Sequence, residues 1–239
     1  MLNNISNFFN LIRGRKVKKT LAPNDMIAIG VRNSVTQSDY QPSAIFFKDL
    51  ETQIAAGGGS QFTYEIGQYV VAEGGVIAHR WLSTTPNGTP TAGTTQNYIV
   101  VDLNDLSSSA KWASSSVDIP NVESTYDGQT NTANLIAAGA ASGITVGTAA
   151  QLCDVSINGG KSDWYLPAID ELNKLFNNRW EVAQGINLAA GTQLSFTRYW
   201  SSTENGANNA WNFNVFNGNA NANDKDTTYY VRAVRRFSI

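Results

Sequence analysis

The spacing of apolar and polar positions changes character along this chain. In residues 3–12, Ile5, Phe8, Phe9 and Ile12 recur at helical spacing and predict a short helix with one apolar face. MIAIGV (26–31) reads as a short strand and Asp39 to Pro42 as a turn. Ser43 to Ala56 can be helical, with Ile45, Leu50 and Ile54 on one face. Ala55-Ala56-Gly57-Gly58-Gly59-Ser60 then reads as a flexible linker. The chain is therefore expected to divide into an N-terminal segment, 1–60, and a domain, 61–239.

From Phe62 onward, short strand-like runs alternate with turns rich in Gly, Asn, Ser and Thr. GGVIAHRWL (74–82) and YIVVDL (98–103) are strand candidates. Asn131 to Ala141 predicts a helix with Leu135 and Ile136 inward, and Thr148 to Val155 a second one carrying Cys153. The clearest helix starts near Pro167, a residue suited to the first helical position, and aligns Ile169, Leu172, Leu175 and Phe176 on one face. Arg198 to Ser202 is a strand candidate. Trp211, Phe213 and Val215 alternate with Asn212 and Asn214, as in a half-buried strand. Asn217-Gly218-Asn219 reads as a turn and Tyr229 to Phe237 as a final strand. A few helices among many short, antiparallel strands predict an α+β domain.

Charge refines this picture. Only 15% of the 239 residues are charged, so solvated faces must be built from Asn, Ser, Thr and Gly. Residues 1–24 hold Arg13, Arg15, Lys16, Lys18 and Lys19 and no acid, a basic arm on an otherwise acidic chain. With a net charge of −2, nothing points to nucleic acid as a partner. The single cysteine, Cys153, excludes an intramolecular disulfide, and no run approaches the roughly 18 apolar residues of a membrane span. The basic cluster follows the first apolar stretch, the reverse of a secretory signal. These features suggest a protein made in a cytoplasm that reaches the outside, if at all, by a route such as incorporation into a virus particle.

Catalytic signatures are absent from the sequence. His79 is the only histidine and has no acid or nucleophile pattern around it. Cys153 lies on the apolar side of its helix and is expected to be buried. Asp163, Asp170 and Glu171 could be paired carboxylates, but helix capping and solvated charge account for them better. There is no phosphate loop, zinc-ligand spacing or nucleophile elbow. The chain is therefore expected not to be an enzyme. Its least ordinary feature is a run of nine asparagines in 19 residues: Asn205, Asn208, Asn209, Asn212, Asn214, Asn217, Asn219, Asn221 and Asn223. Such a run reads either as a polar loop or as a ligand face, because amides donate and accept hydrogen bonds without the desolvation cost of charge. Trp164, Trp200 and Trp211 could stack on sugars, but their periodicity favours core packing.

DWYLPAIDELNKLF (163–176), YWSSTE (199–204), AWNF (210–213) and YYVRAVR (229–235), in that order, resemble the C-terminal adhesin domain of bacterial collagen-like (Lcl) proteins. Upstream, YEIGQ and EGGVIAH (64–79), DGQTNTANLIAAG (127–139) and AAQLCDVSINGGKSDWYLP (149–167) extend the resemblance to about residues 62–238. It implies a C-type-lectin-like fold with the domain's first and last strands side by side and an irregular loop region presenting a ligand surface. Related domains serve adhesins and phage receptor-binding proteins, many of them trimeric. The related formylglycine-generating enzymes use paired cysteines, which this chain lacks.

C-type lectins often hold calcium through Glu/Asn pairs and a Trp-Asn-Asp stretch. Here Trp211-Asn212-Phe213-Asn214 lacks the aspartate, while Glu204, Asn205, Asp224 and Asp226 supply oxygen atoms nearby. No cofactor is expected, calcium being the one ion with ligands at hand. Glu204 is expected to pair with Arg232 or Arg235 and close the terminal strands. The combined expectation is a phage or virion structural protein and homo-oligomer. Residues 1–60 would dock on other virion proteins, and the lectin-like domain would bind a glycan or protein of the host surface. The alternatives are a capsid decoration or fibre-base protein and a bacterial cell-surface adhesin.

Overall fold

The structure, a computed structural model, describes residues 61–239 and two strands before them, Met26–Gly30 (β1) and Pro42–Phe46 (β2). The chain divides into two units, Met1–Gln61 and Phe62–Ile239. In the first, β1 and β2 pair antiparallel over five residues, Met26 opposite Phe46 and Gly30 opposite Pro42. This confirms the strand at 26–31 and corrects the reading of 43–46, where a partner strand in register outweighs the helical spacing. The expected helix at 3–12, the turn before Pro42, the rest of the 43–56 helix and the linker lie outside the described residues.

The second unit is α+β, with two sheets and four helices among the described residues. The four-stranded sheet has the order β11-β5-β4-β3, built from Tyr69–Val70 (β3), Gly75–Ser83 (β4), Thr95–Asp102 (β5) and Val234–Ser238 (β11), all antiparallel. The five-stranded sheet has the order β6-β10-β7-β8-β9. Its strands are Ser107–Lys111 (β6), Arg198–Asn205 (β7), Asn209–Asn214 (β8), Asn219–Asp224 (β9) and Thr228–Val231 (β10). The single run expected over Tyr229 to Phe237 is thus two strands in different sheets. Arg232 stands at the crossing, buried, with its guanidinium on Asp105 (2.7 Å) and on the carbonyls of Asp102 (2.9 Å) and Thr192 (2.7 Å). The last strand, β11, shares a sheet with the first, β3, but at opposite edges, with β4 and β5 between them.

Helices Gly128–Ala138 (α1), Ala149–Asp154 (α2), Ile169–Asn177 (α3) and Arg179–Leu188 (α4) complete the unit. Helix α1 starts three residues before the expected position because Asp127 caps it, accepting the Thr130 N–H. Pro167 and Ala168 precede α3, and the Glu171 carboxylate accepts the Ala168 N–H at 2.8 Å, half of a capping box. The sequence reading did not foresee α4, which leaves Trp180 and Leu188 exposed and carries an interior glycine. It also passed over β6 (SSSAK) and β9 (NANAND), whose composition is that of loops.

Three apolar clusters hold the layers together. The largest joins Trp112, Trp164 and Trp200 to Ile77, Val100, Leu135 and Cys153. Each buried indole N–H has a carbonyl: Trp112 bonds Ser201 (2.8 Å), Trp164 bonds Asn158 (2.9 Å) and Trp200 bonds Ala110 (2.9 Å). The second lies between the four-stranded sheet and the helices α3 and α4 (Val76, Val101, Leu175, Val182, Ile186), and the third between α3 and β8 (Ile169, Leu172, Phe213, Val215).

Glycine enables one close approach on which α4 depends. A Cβ at Gly185 would lie 2.1 Å from the Gly67 carbonyl oxygen, and one at Gly67 (φ +82°) 2.4 Å from the Glu181 carbonyl oxygen. Gly185→Ala gains about 1 kcal/mol of helix propensity, yet here it forces two backbones apart. We expect a lower Tm in thermal unfolding followed by circular dichroism; an unchanged or higher Tm contradicts the close contact.

Candidate functional site

The asparagine run is not a loop. Most of it forms the β8–β9 hairpin, and β9 is an edge strand of the five-stranded sheet among the described residues. Directly paired residues point to the same side of a sheet. The register sets Asn214 opposite Asn219, Asn212 opposite Asn221 and Ala210 opposite Asn223, so five asparagines share one face. Arg198 of β7, opposite Asn214, belongs to it too. The other face carries Phe213 and Trp211 opposite Ala220 and Ala222, and packs toward α3.

The nine asparagines do different work. Asn212 is fully buried. It donates to the Asn221 carbonyl and to the Asn223 side chain (both 2.9 Å), and Arg198 bonds Asn223 Oδ1 (2.7 Å) and Asn212 Oδ1 (3.4 Å). This network fixes Asn223 on the face, while Asn212 is not accessible to a ligand. Asn214 and Asn217 shape the turn between the strands, accepting the backbone N–H groups of Phe216 (2.9 Å) and Asn219 (3.1 Å). Asn219 is exposed and Asn221 half-buried, with the Asn221 amide on the Asn219 carbonyl at 3.2 Å. At the other end Asn205 closes β7 and Asn208 lies in the β7–β8 turn, both exposed, and Asn209 lies on the α3 side, opposite Asp224. The run is thus partly a turn, partly a hidden network and partly an accessible face.

Sequence reading missed the aromatic rings at this tip. Phe216 sits on the β8–β9 turn and is 75% exposed, and Phe196 is 71% exposed. The Val215 N–H donates to the Thr197 carbonyl at 2.9 Å, one residue beyond the last pair of the β7–β8 ladder, Arg198 with Asn214. A phenylalanine set among asparagines in a turn was the available signal. Of the three tryptophans in the motifs, Trp164 and Trp200 are buried as expected, while Trp211 is half-buried.

The base of the hairpin holds a correction. Glu204 does not pair with Arg232 or Arg235. Its partner is Lys225, just beyond β9, and both side chains are out of solvent (0% and 1% exposed). Glu204 also accepts the Ile119 N–H (3.1 Å). The Lys225 ammonium donates to the Val117 carbonyl (2.6 Å) and lies 4.8 Å from the Trp112 ring centroid. Burial pushes the Glu204 pKa up, opposed by the hydrogen bond and charge of Lys225. Lys225 was missed because it stands in an exposed-looking polar run between two aspartates. The two arginines have other acids: Arg235 forms a two-pronged pair with Asp163 (2.7 and 2.8 Å) and reaches Glu73, and Arg232 holds Asp105. Of the other oxygen atoms considered for calcium, Asn205, Asp224 and Asp226 are exposed. Among the described residues, no group of three or more His, Cys, Asp or Glu side chains is placed to hold a metal.

The remaining candidates are structural in their surroundings. Glu171, buried, accepts from Ala168, from the Tyr165 hydroxyl (2.8 Å) and from Arg236 (2.6 Å). Cys153 is fully buried, and burial raises its thiol well above the ordinary value. His79 stacks on Trp81, and burial followed by the charge of Lys174 lowers its pKa to about 4.

Residues 100–235 match the family of the Lcl C-terminal domain. The chain belongs to that family. A fimbrial protein from Bacteroides ovatus ATCC 8483 is similar in structure at 17% sequence identity and a TM-score of 0.46; the match covers 59% of this chain and 35% of that one. The chain thus spans about a third of that protein's length. No curated protein matches the sequence.

Removing one member of the buried pair should be costly, since it leaves the other charge uncompensated. Urea unfolding should show Lys225→Met and Glu204→Gln each destabilised by about 3–5 kcal/mol, with the double variant recovering most of the loss. Additive losses would contradict a coupled pair. His79 gives a pH prediction. Its folded pKa lies below the unfolded value of 6.5, so the unfolded chain binds the proton first. The His79 contribution to stability is complete above pH 6.5 and declines as the pH falls toward 4. His79→Gln should therefore lose less stability than the wild type between pH 7 and pH 4; parallel pH profiles would exclude the effect.

Proposed function

We propose that the Phe62–Ile239 unit is the binding domain of a surface adhesin, without catalytic activity, and that it meets its ligand with the accessible asparagine face and tip of the β8–β9 hairpin. Membership of the Lcl C-terminal domain family supports the adhesin reading over the virion one expected from the basic arm, which lies outside the described residues. The α+β arrangement of two sheets and flanking helices, with first and last strands in one sheet, is consistent with a C-type-lectin-like fold. The buried Cys153 and the shielded His79 support a non-enzymatic role.

The observation that carries the site is the combination on one exposed hairpin. Asn219 and Asn221 offer uncharged amides, and Phe216 beside them offers an exposed ring. Amides pair with hydroxyl and peptide groups at little desolvation cost, and an aromatic ring covers an apolar sugar face or side chain. Such a surface suits a glycan or a protein of another cell's surface. Arg198 and Asn212, on the same face, fix the Asn223 side chain and the Asn221 carbonyl through hydrogen bonds, which lowers the ordering entropy lost on binding.

Full-length protein binding to intact cells and to arrays of immobilised glycans tests this. The double variant Asn219→Ala/Asn221→Ala and, separately, Phe216→Ala should each weaken attachment about tenfold or more, on the order of the 1.4 kcal/mol of one lost contact set, with unchanged Tm. Unaltered attachment would place the ligand elsewhere on the domain, and absence of attachment to any surface would end the adhesin reading. Attachment should also persist in EDTA, because Glu204 is committed to Lys225. Loss in EDTA restored by calcium would contradict that.

A further inference from the structure

The outer edge of β9 carries a second reading, independent of what the face binds. The Lys225 N–H donates to the Asn208 carbonyl at 3.0 Å, which marks these two positions as a hydrogen-bonded pair of the β8–β9 ladder. Hydrogen-bonded pairs recur every second residue. The backbone groups of Asn223, Asn221 and Asn219 therefore turn inward to β8, and those of Ala222 and Ala220 turn outward. Among the described residues nothing bonds the N–H or C=O of either alanine from outside. Proteins ordinarily blunt such an edge with lysine, proline, a bulge or a covering element. From Asn219 to Asn223 this strand has no charge and no proline, and its pairing with β8 runs without a bulge.

We propose that a second copy of this chain occupies the edge, the two β9 strands pairing antiparallel about a two-fold axis through Asn221. The sequence fits itself in this register. Ala220 meets Ala222 of the other copy and exchanges both backbone hydrogen bonds with it, twice over by symmetry. Asn219 meets Asn223, and Asn221 meets its own counterpart. Small residues face small residues, amides face amides, and no charge stands opposite a like charge, since Asp224 falls opposite Gly218 and Lys225 opposite Asn217. The two-fold closes, so the assembly is a dimer rather than a fibre. Its two five-stranded sheets become one, and the asparagine faces of both copies lie side by side. A dimeric face would engage two ligand units at once and gain avidity without new contacts.

The two-fold makes a sharp test. Asn221 would be a non-hydrogen-bonded pair with itself, at a Cα separation of about 4.5 Å, within disulfide range. Asn219 would lie about 14 Å from its own counterpart, four residues away along the strand. In the full-length protein, Asn221→Cys should form a covalent dimer under mild oxidation, while Asn219→Cys and the wild type, whose Cys153 is buried, should not. Sedimentation should show a dimer that Ala222→Pro, which deletes an outward N–H, converts to monomer at unchanged circular dichroism. Equal cross-linking at positions 219 and 221, cross-linking at neither, or a monomer or trimer in the wild type would each overturn the proposal. The cross-link reads the edge and cell attachment reads the face, so either can fail without the other.

Discussion

The hairpin that distinguishes this domain depends on one buried ion pair. Glu204 is the last residue but one of β7 and Lys225 follows β9, and they meet beside the end of the strand between them, β8. Two charges taken out of water cost several kcal/mol each unless their remaining donors and acceptors are filled. Here they are filled by the loop before α1: the Ile119 N–H serves the carboxylate, the Val117 carbonyl serves the ammonium, and the Trp112 ring covers it. The pair therefore ties three neighbouring strands to the main core at a single point. With its base fixed this way, the hairpin can carry polar residues along its length and still form an ordered sheet.

The C-terminal strands repeat the device with arginine. Arg232 stands where the chain passes from one sheet to the other and satisfies its donors on Asp105 and two carbonyls, and Arg235 locks Asp163 and Glu73. Arg236 reaches Glu171, whose other oxygen caps α3. A chain with one cysteine and no disulfide thus anchors its last strands through directed, charge-assisted bonds. Low overall charge and a dense set of buried charges are compatible because the charges present are used inside.

Much of this was legible in the sequence wherever apolar periodicity was strong. The strands at 74–82 and 98–103, observed as Gly75–Ser83 and Thr95–Asp102, the helix of Ile169 to Phe176 and the alternation around Trp211 are readable, as are the buried Trp164, Trp200 and Cys153. The polar strands were not. Asn219–Asp224 has the composition of a turn and is a strand only because β8 offers it six partners in register. Helix α4 was hidden by its glycine, which packing against Gly67 requires. The asparagine run was recognised as unusual, but its division into turn, network and face is a matter of register, which spacing alone does not set. Glu204 was correctly marked for an ion pair and given the wrong partner, because the nearest cation in space comes from the least conspicuous lysine.

The central claim is that the β8–β9 hairpin is a rigid face pinned at its base by Glu204 and Lys225. Native-state hydrogen exchange of the full-length protein tests it most directly. The amides of Asn212 and Asn214 in β8 should exchange as slowly as that of Val100 in the four-stranded sheet, and Lys225→Met should accelerate the first two while leaving Val100 far slower. Fast exchange of β8 in the wild-type protein would contradict it.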